Sequence, residues 1–179
     1  MDLTDFSLVR LSPITELKPF DCGDEDLNEF FHQDSQNYRK ELLAVTYILE
    51  SDSNTVAFFS LLNDKISVED VDSKRKFARF FKDIMPREKQ FKSYPAMKIG
   101  RLGITKEYQG KGLGKIILDY IKNLFITNNR TGCKFITVDA YNASTSFYEK
   151  NEFLYLPAKE PGIHTKQMYF DLRTLLVDE

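Results

Sequence analysis

The sequence predicts an α/β or α+β fold in which helices cover both faces of a central sheet. The order of segments supports this, because strand-rich stretches come early and the second half alternates strand, helix, strand, helix and strand. The composition supports it too, since 42% hydrophobic and 13% aromatic residues are enough to close a core. With 179 residues, we expect one domain spanning residues 1–179.

The first half of the chain is predicted to hold three strands and one helix. Strands are expected at 6–11, 43–49 and 55–62, and the turn residues 51–54 join the last two strands as a hairpin. Asp24 follows a turn and is placed to cap a helix. The apolar face of that helix falls at helical spacing, on Leu27, Phe30, Phe31 and Tyr38.

The segment from about 67 to 93 is predicted to be a basic helical insertion. Four apolar residues at helical spacing predict a helix from about Ser73 to Met85, which Pro86 ends: Phe77, Phe80, Phe81 and Ile84. Basic residues are interleaved with them: Lys74, Arg75, Lys76, Arg79, Lys82, Arg87, Lys89 and Lys92. Either the helix packs its phenylalanines on the sheet and solvates its lysines, or it forms a cationic wall that guides an acidic or RNA-linked substrate.

The second half is predicted to begin with a strand at 96–104 that contains Gly100 and Gly103. Glycine inside a strand marks a bulge or a close approach of a ligand. An apolar stripe then predicts a long helix that ends near 128–132: Leu113, Ile116, Ile117, Tyr120, Ile121, Leu124 and Phe125. Strands at 134–140, 152–156 and 166–172, and a short helix from a capping Asn142 to Lys150, complete the pattern.

The loop Gln109-Gly110-Lys111-Gly112-Leu113-Gly114 lies between that strand and the long helix. Glycines at alternate positions let backbone N–H groups converge on one point, and the helix adds the positive end of its dipole. Lys111 supplies a further cation, so the loop suits a phosphate or pyrophosphate. It matches neither the Walker loop nor the dinucleotide fingerprint. The alternative is a glycine-rich turn that only permits tight packing of strand against helix.

Two stretches resemble motifs of the GCN5-related N-acetyltransferases, the GNAT family. Residues 101–104 and 108–114 resemble its motif A, whose pattern Q/R-x-x-G-x-G/A is filled by Gln109, Gly112 and Gly114. Residues 138–142 and 146–150 resemble the family's next motif. The resemblance implies a mixed, mostly antiparallel sheet of about seven strands. It also implies a splayed V between the strand 96–104 and the strand 134–140.

The resemblance further implies an acetyl-CoA-dependent N-acetyltransferase. The residues that it assigns to acetyl-CoA are Leu102, Gly103, Ile104, Gln109, Gly110, Lys111, Gly112, Leu113, Gly114, Asn142 and Phe147. Tyr148 resembles the family's general acid, although a half-buried tyrosine bonded to a carbonyl is the alternative. A helix cap explains Asn142 equally well. The sequence identifies no general base: Glu69, Asp70 and Asp139 are candidates, and an ordered water is another.

The cysteine, histidine and charge content limits which metals and partners we expect. Cys22 and Cys133 are far apart and only two histidines, His32 and His164, are present, so we expect no metal site. The net charge of −2 argues against a general nucleic-acid binder. The acidic N-terminus and the lack of a long apolar run favour the cytoplasm and no membrane partner.

Three interpretations of the activity stay open. The chain acetylates an amine on a small molecule, a peptide or an aminoacyl-tRNA; or it is a toxin neutralised by an antitoxin; or it is a non-catalytic module that binds CoA. Residues 20–23 and Leu27 resemble the opening of toxin-type acetyltransferases, which act on aminoacyl-tRNA. The apolar residues 175–177 are a candidate contact for a homodimer.

Overall fold

A computed structural model describes residues 3–71, 73–81, 91–127, 131–157 and 162–176. Its strands are β1 Ser7–Arg10, β2 Val45–Glu50, β3 Thr55–Ser67, β4 Ser93–Ile104, β5 Phe135–Tyr141, β6 Leu154–Tyr155 and β7 Thr165–Asp171. They form one sheet in the order β1-β2-β3-β4-β5-β7-β6. The pairs β1–β2, β2–β3, β5–β7 and β6–β7 are antiparallel. The predicted seven-stranded α+β fold is therefore confirmed.

The α-helices are α1 Glu25–Glu29, α2 Ser35–Lys40, α3 Lys74–Phe81, α4 Leu113–Ile126 and α5 Thr145–Lys150. Asp24 caps α1 as predicted, since its Oδ1 accepts the N–H of Leu27 at 3.0 Å. A π-helical turn, Phe30–Asp34, separates α1 from α2 where the sequence predicted one regular helix. None of the helices in the described ranges is long and apolar enough to cross a membrane.

The chain groups into two compact units. The first consists of Met1–Leu62 and Ile99–Leu124, and the second of Asn63–Lys98 and Phe125–Glu179. Buried residues of the first unit include a cluster of Leu11, Phe20, Cys22, Phe30, Phe31, Ile48 and Phe58. The second unit contains a cluster of Ile66, Val71, Phe77, Tyr94, Ala96, Phe135 and Tyr169. A single domain over residues 1–179 stays a prediction.

Two strands extend into the segment that the sequence assigned to the basic insertion or its flanks. β3 runs to Ser67 rather than to residue 62, and β4 begins at Ser93 rather than at 96. The polar run 63–65 hid the end of β3, but Asp64 accepts a 2.5 Å hydrogen bond from the Thr137 hydroxyl. The two strands thus leave residues 68–92 between them, close to the predicted bounds of the insertion.

Within that insertion the helix α3 covers Lys74–Phe81, and residues 82–90 of the predicted element lie outside the described ranges. Phe77 is buried and stacks on Tyr94 with ring centroids 5.9 Å apart. Arg75, Lys76 and Arg79 are exposed. This arrangement favours an amphipathic helix that packs its apolar side within the second unit and exposes its basic side to solvent.

Candidate functional site

The glycine loop follows β4 and a 3-10 turn, Lys106–Tyr108, and leads directly into α4. Gly110 and Gly112 have φ values of +71° and +85°, a left-handed backbone that glycine adopts without strain. At both positions a Cβ would meet no atom within 4 Å. These glycines are therefore required by the backbone turn and leave open space beside it, rather than permitting tight packing.

The glycine loop supplies the N-terminal cap of α4. The Gly112 carbonyl accepts from the N–H groups of Lys115 and Ile116 at 3.1 and 3.3 Å, which makes Gly112 the N-cap. Among the described residues, the five successive N–H groups from Gly110 to Gly114 have no acceptor. Unbonded donors at the positive end of a 14-residue helix are the groups that an oxyanion would need, and the predicted phosphate site stays a prediction.

Gln109 holds this loop in place. Its Nε2 donates to the carbonyl of Cys22 at 2.7 Å and to the carbonyl of Ile104 at 2.8 Å. The side chain thus connects the loop to the segment before α1 and to the end of β4. The side-chain amide of Gln109 therefore positions the loop, and its contact with the cofactor stays a prediction.

A charged contact anchors the 3-10 turn before the loop. The Lys106 ammonium lies 2.6 Å from Asp21, which also accepts from Gly23 N–H and the Asn28 amide. Lys106, and then Asn28 and Gly23, lower the pKa of the Asp21 carboxyl to about 2. Both side chains are largely exposed, so the pair contributes little free energy but defines the path of the turn.

The strand β4 changes register between its two glycines. A methyl group on Gly100 would lie 2.5 Å from Leu62 Cδ2, and one on Gly103 would lie 2.7 Å from the Phe58 ring. Leu62 and Phe58 are four residues apart on β3 and share a face. Glycines three residues apart cannot point to one face of a regular strand, so the alternation slips by one residue, as it does at a bulge.

Neighbouring side chains, rather than a ligand, therefore fill the space that Gly100 and Gly103 leave. Leu102 and Ile104, on either side of Gly103, are half-buried. The splay between β4 and β5 stays a prediction.

A cleft of about 530 Å³ adjoins the same turn in the first unit. Its walls are residues 19–21, 51, 53–56 and 105–108. None of the sequence-predicted site residues lines this cleft.

Tyr148 lies on α5 in the second unit and is buried, with 6% of its surface exposed. Its ring makes edge contacts with Phe147 and Phe153, at centroid distances of 5.0 and 5.3 Å. Burial raises the pKa of its phenol well above the ordinary value near 10. No hydrogen bond joins the hydroxyl to another described residue. The carbonyl bond of the alternative interpretation is thus not found within the described ranges.

Asn142 is not the cap of α5, which corrects the sequence prediction. It begins a 3-10 turn, Asn142–Ser144, and α5 starts at Thr145 with no side-chain cap. The Asn142 amide instead donates to the Ile163 carbonyl at 3.0 Å, and its backbone N–H donates to the His164 carbonyl at 3.0 Å. Asn142 therefore anchors the start of β7.

Two of the candidate general bases have structural partners. Asp70 accepts from the N–H and the hydroxyl of Ser67, which closes a capping box. Asp139 forms an ion pair with Lys98, while Glu69 is exposed. No group of three or more histidine, cysteine or acidic residues in the described ranges is arranged to hold a metal ion.

Comparison with known proteins identifies the family. Residues 44–154 match the family model of the acetyltransferase (GNAT) domain, and this stretch includes the glycine loop and Tyr148. AtaTR bound with acetyl-CoA has a similar structure, with a TM-score of 0.74 and 22% identity over 96% of both chains.

Two further solved structures are similar to this chain. AtaT complexed with acetyl-methionyl-tRNAfMet has a TM-score of 0.75 and 21% identity, over 96% of this chain and 97% of that chain. A tyrosine-to-phenylalanine variant of KacT has a TM-score of 0.75 and 17% identity, over the same shares. At such identities the structural likeness shows the fold alone.

Proposed function

The chain belongs to the GNAT acetyltransferase family, and from this premise we propose that it transfers an acetyl group from acetyl-CoA to an amine. The donor is a thioester, whose carbonyl the amine attacks and whose sulfur departs. The observation that carries the proposal is the row of five unbonded N–H groups from Gly110 to Gly114. These donors and the start of α4 suit the pyrophosphate of CoA. The strand backbone at Leu102–Ile104 would hold the pantetheine arm.

Tyr148 is the proposed general acid for the departing sulfur. A phenol is protonated at neutral pH at its ordinary pKa near 10, and burial raises the pKa of Tyr148 further. A thiol has an ordinary pKa near 8.5, so a thiolate that forms beside the phenol is stabilised by a donated hydrogen bond. A hydroxyl with no partner among the described residues is available for that donation. Phe147, which packs edge-on against Tyr148, would orient the ring.

The variant Tyr148→Phe tests this role. We expect turnover with a reactive amine to fall by roughly 10²–10⁴-fold, while acetyl-CoA binding is kept. Tyr169→Phe is the matched control, because Tyr169 is another buried tyrosine of the second unit. Full turnover in Tyr148→Phe, with thermal stability equal to that of the wild type, would contradict the role.

A toxin-type acetyltransferase that acts on aminoacyl-tRNA is the second candidate. It is supported by the similarity to AtaT complexed with acetyl-methionyl-tRNAfMet over 96% of this chain. Arg75, Lys76 and Arg79 present exposed cations on α3, which could neutralise RNA phosphates. An antitoxin partner belongs to this candidate and not to the first.

Replacing Arg75, Lys76 and Arg79 together with alanine tests the second candidate. If α3 contacts RNA, the affinity for tRNA falls and the salt dependence of binding weakens. The control replaces Arg10, Lys40 and Arg173, which are exposed elsewhere and change the net charge equally. Equal affinity of both triple variants would remove α3 from RNA binding.

A CoA-binding module without catalysis is the third candidate. The wild type would then bind acetyl-CoA but transfer its acetyl group to no amine, neither a free amine nor that of an aminoacyl-tRNA. We place the activity in the cytoplasm as part of the proposal.

A further inference from the structure

Arg101 is a basic residue of β4 whose side chain has no part in the glycine loop. Its guanidinium carbon lies 5.2 Å from the centroid of the Phe30 ring, in the π-helical turn. Its Nη1 donates to the Gly100 carbonyl at 3.0 Å, beside the register change of β4. The side chain therefore rests on an aromatic ring and is tied to the strand by one hydrogen bond.

The other donors of this guanidinium lack acceptors within the described ranges. Nε is inaccessible and makes no hydrogen bond. The nearest carboxylate oxygen, Asp26 Oδ2, lies 3.7 Å from Nε, which allows electrostatic attraction but is too long for a hydrogen bond. Because Nε is covered, the 38% of the side chain that is exposed belongs to other atoms. Of the five donors that a guanidinium offers, one is used.

Such an arginine is prepared for an oxyanion. The Phe30 ring holds the guanidinium plane by a cation–π contact, and the Gly100 carbonyl fixes its rotation. A partly buried, preorganised guanidinium with unused N–H groups binds carboxylate or phosphate through paired hydrogen bonds. Asp26 attracts the cation but is itself 59% exposed, so solvent screens it.

We propose that Arg101 is a specificity-determining residue that binds a carboxylate or phosphate oxygen of the acetyl acceptor. This inference rests on the proposed function, in which Gly110–Gly114 hold the pyrophosphate of the donor. An additional anion site on β4, the strand that precedes this loop, then serves the second reactant. Arg101 directly precedes Leu102–Ile104, the stretch proposed to hold the donor's arm, so an anion bound there belongs to the part of the acceptor near its amine.

Paired amine probes test the inference without requiring turnover. Binding of phosphoethanolamine and ethanolamine, and of glycine and glycinamide, is measured by calorimetry on the full chain loaded with CoA. We expect the wild type to prefer the anionic member of at least one pair. Arg101→Met should weaken binding of that member by about tenfold or more and leave its neutral partner unchanged.

Two further variants make the test specific. Arg101→Lys keeps the positive charge but cannot form the paired hydrogen bonds of a guanidinium. Its preference for the anionic over the neutral probe should therefore fall between the preferences of wild type and Arg101→Met. Arg10→Met, an exposed arginine of β1, should change nothing. Loss confined to the phosphate pair or to the carboxylate pair would identify the anion.

The inference is overturned if the wild type shows no preference in either pair. Equal weakening of anionic and neutral probes in Arg101→Met would overturn it as well. A folded wild type that does not bind CoA itself would instead contradict the proposed function. The two failures are therefore distinguishable in one series of titrations.

Discussion

Replacing Gly112 with alanine separates the two roles of the glycine loop, its backbone turn and its open face. The φ of Gly112 is +85°, so alanine there adopts a left-handed backbone that costs about 1–2 kcal/mol. No atom lies within 4 Å of the new Cβ, so steric overlap adds nothing to that cost. The free energy of unfolding should fall by about this amount.

The substitution should weaken the binding of acetyl-CoA by more than the loss of folding stability would cause by itself. The new methyl group enters the open space beside Gly112, within the loop where the pyrophosphate is proposed to bind. A hydrogen bond to a charged group contributes about 1.5–3 kcal/mol, so the loss of one raises Kd roughly 10- to 100-fold.

Calorimetric titration with acetyl-CoA and urea unfolding measure the two quantities separately. Gly132→Ala is the matched control, because its Cβ also meets open space and no left-handed φ is involved. It should leave Kd unchanged. If Gly112→Ala loses stability while its Kd equals that of the wild type, the loop does not bind the pyrophosphate and the reasoning fails.

Four other substitutions probe the support of the loop. Gly103→Ala should destabilise by about 1–3 kcal/mol in urea unfolding, since its Cβ would lie 2.7 Å from the Phe58 ring; Gly100→Ala, facing the flexible end of Leu62, should cost less. Gln109→Ala removes two hydrogen bonds and should lower the free energy of unfolding by about 1–3 kcal/mol. Asp21→Asn should lower stability at neutral pH and have little effect near pH 2, followed by unfolding across pH.

The sign of the Asp21 effect follows from its pKa. The folded value of about 2 lies below the unfolded value of about 3.9, so the stabilisation is present above the unfolded value. It is lost as the pH falls from about 4 to 2. A wild-type advantage that stays constant over this window would contradict the Asp21–Lys106 contact. If Gly103→Ala and Gly100→Ala lower the free energy of unfolding equally, the described packing of β4 is contradicted. If Gln109→Ala leaves the free energy of unfolding unchanged, the described support of the loop is contradicted.

The sequence predicted the elements with strong local signals. Asp24 as a helix cap and the apolar stripe of α4 depend on neighbours along the chain, and both are found. The end of β3 was missed because residues 63–65 are polar, and Asp64 has its partner on a strand 73 residues away. Local periodicity carries no information on such a contact.

In the candidate site, too, the features that depend on neighbouring residues were predicted and those that depend on distant contacts were not. The positive φ values of Gly110 and Gly112 follow from glycine at those positions, and the loop was found from sequence. The support of the loop by Gln109 was missed, because its acceptor on Cys22 is 87 residues away. The helix-cap role of Asn142 was wrong, since a residue good at capping also bonds a carbonyl on a distant turn. Arg101 received no role, because its contact with Phe30 depends on the π-helical turn.

The most direct test of the acetyl-CoA proposal compares two acetyl thioesters in calorimetric titrations. Acetyl-CoA carries the pyrophosphate and the phosphorylated adenosine, and S-acetyl pantetheine carries the same thioester and arm without them, so the part of the difference in affinity that Gly112→Ala removes reports on the pyrophosphate. If Gly110–Gly114 bind the pyrophosphate, acetyl-CoA should bind at least about 100-fold more tightly, as the loss of two charged hydrogen bonds implies. Gly112→Ala should reduce the difference in affinity between the two thioesters. Equal affinities of the wild type for the two thioesters, or no binding of acetyl-CoA to the folded chain, would contradict the account.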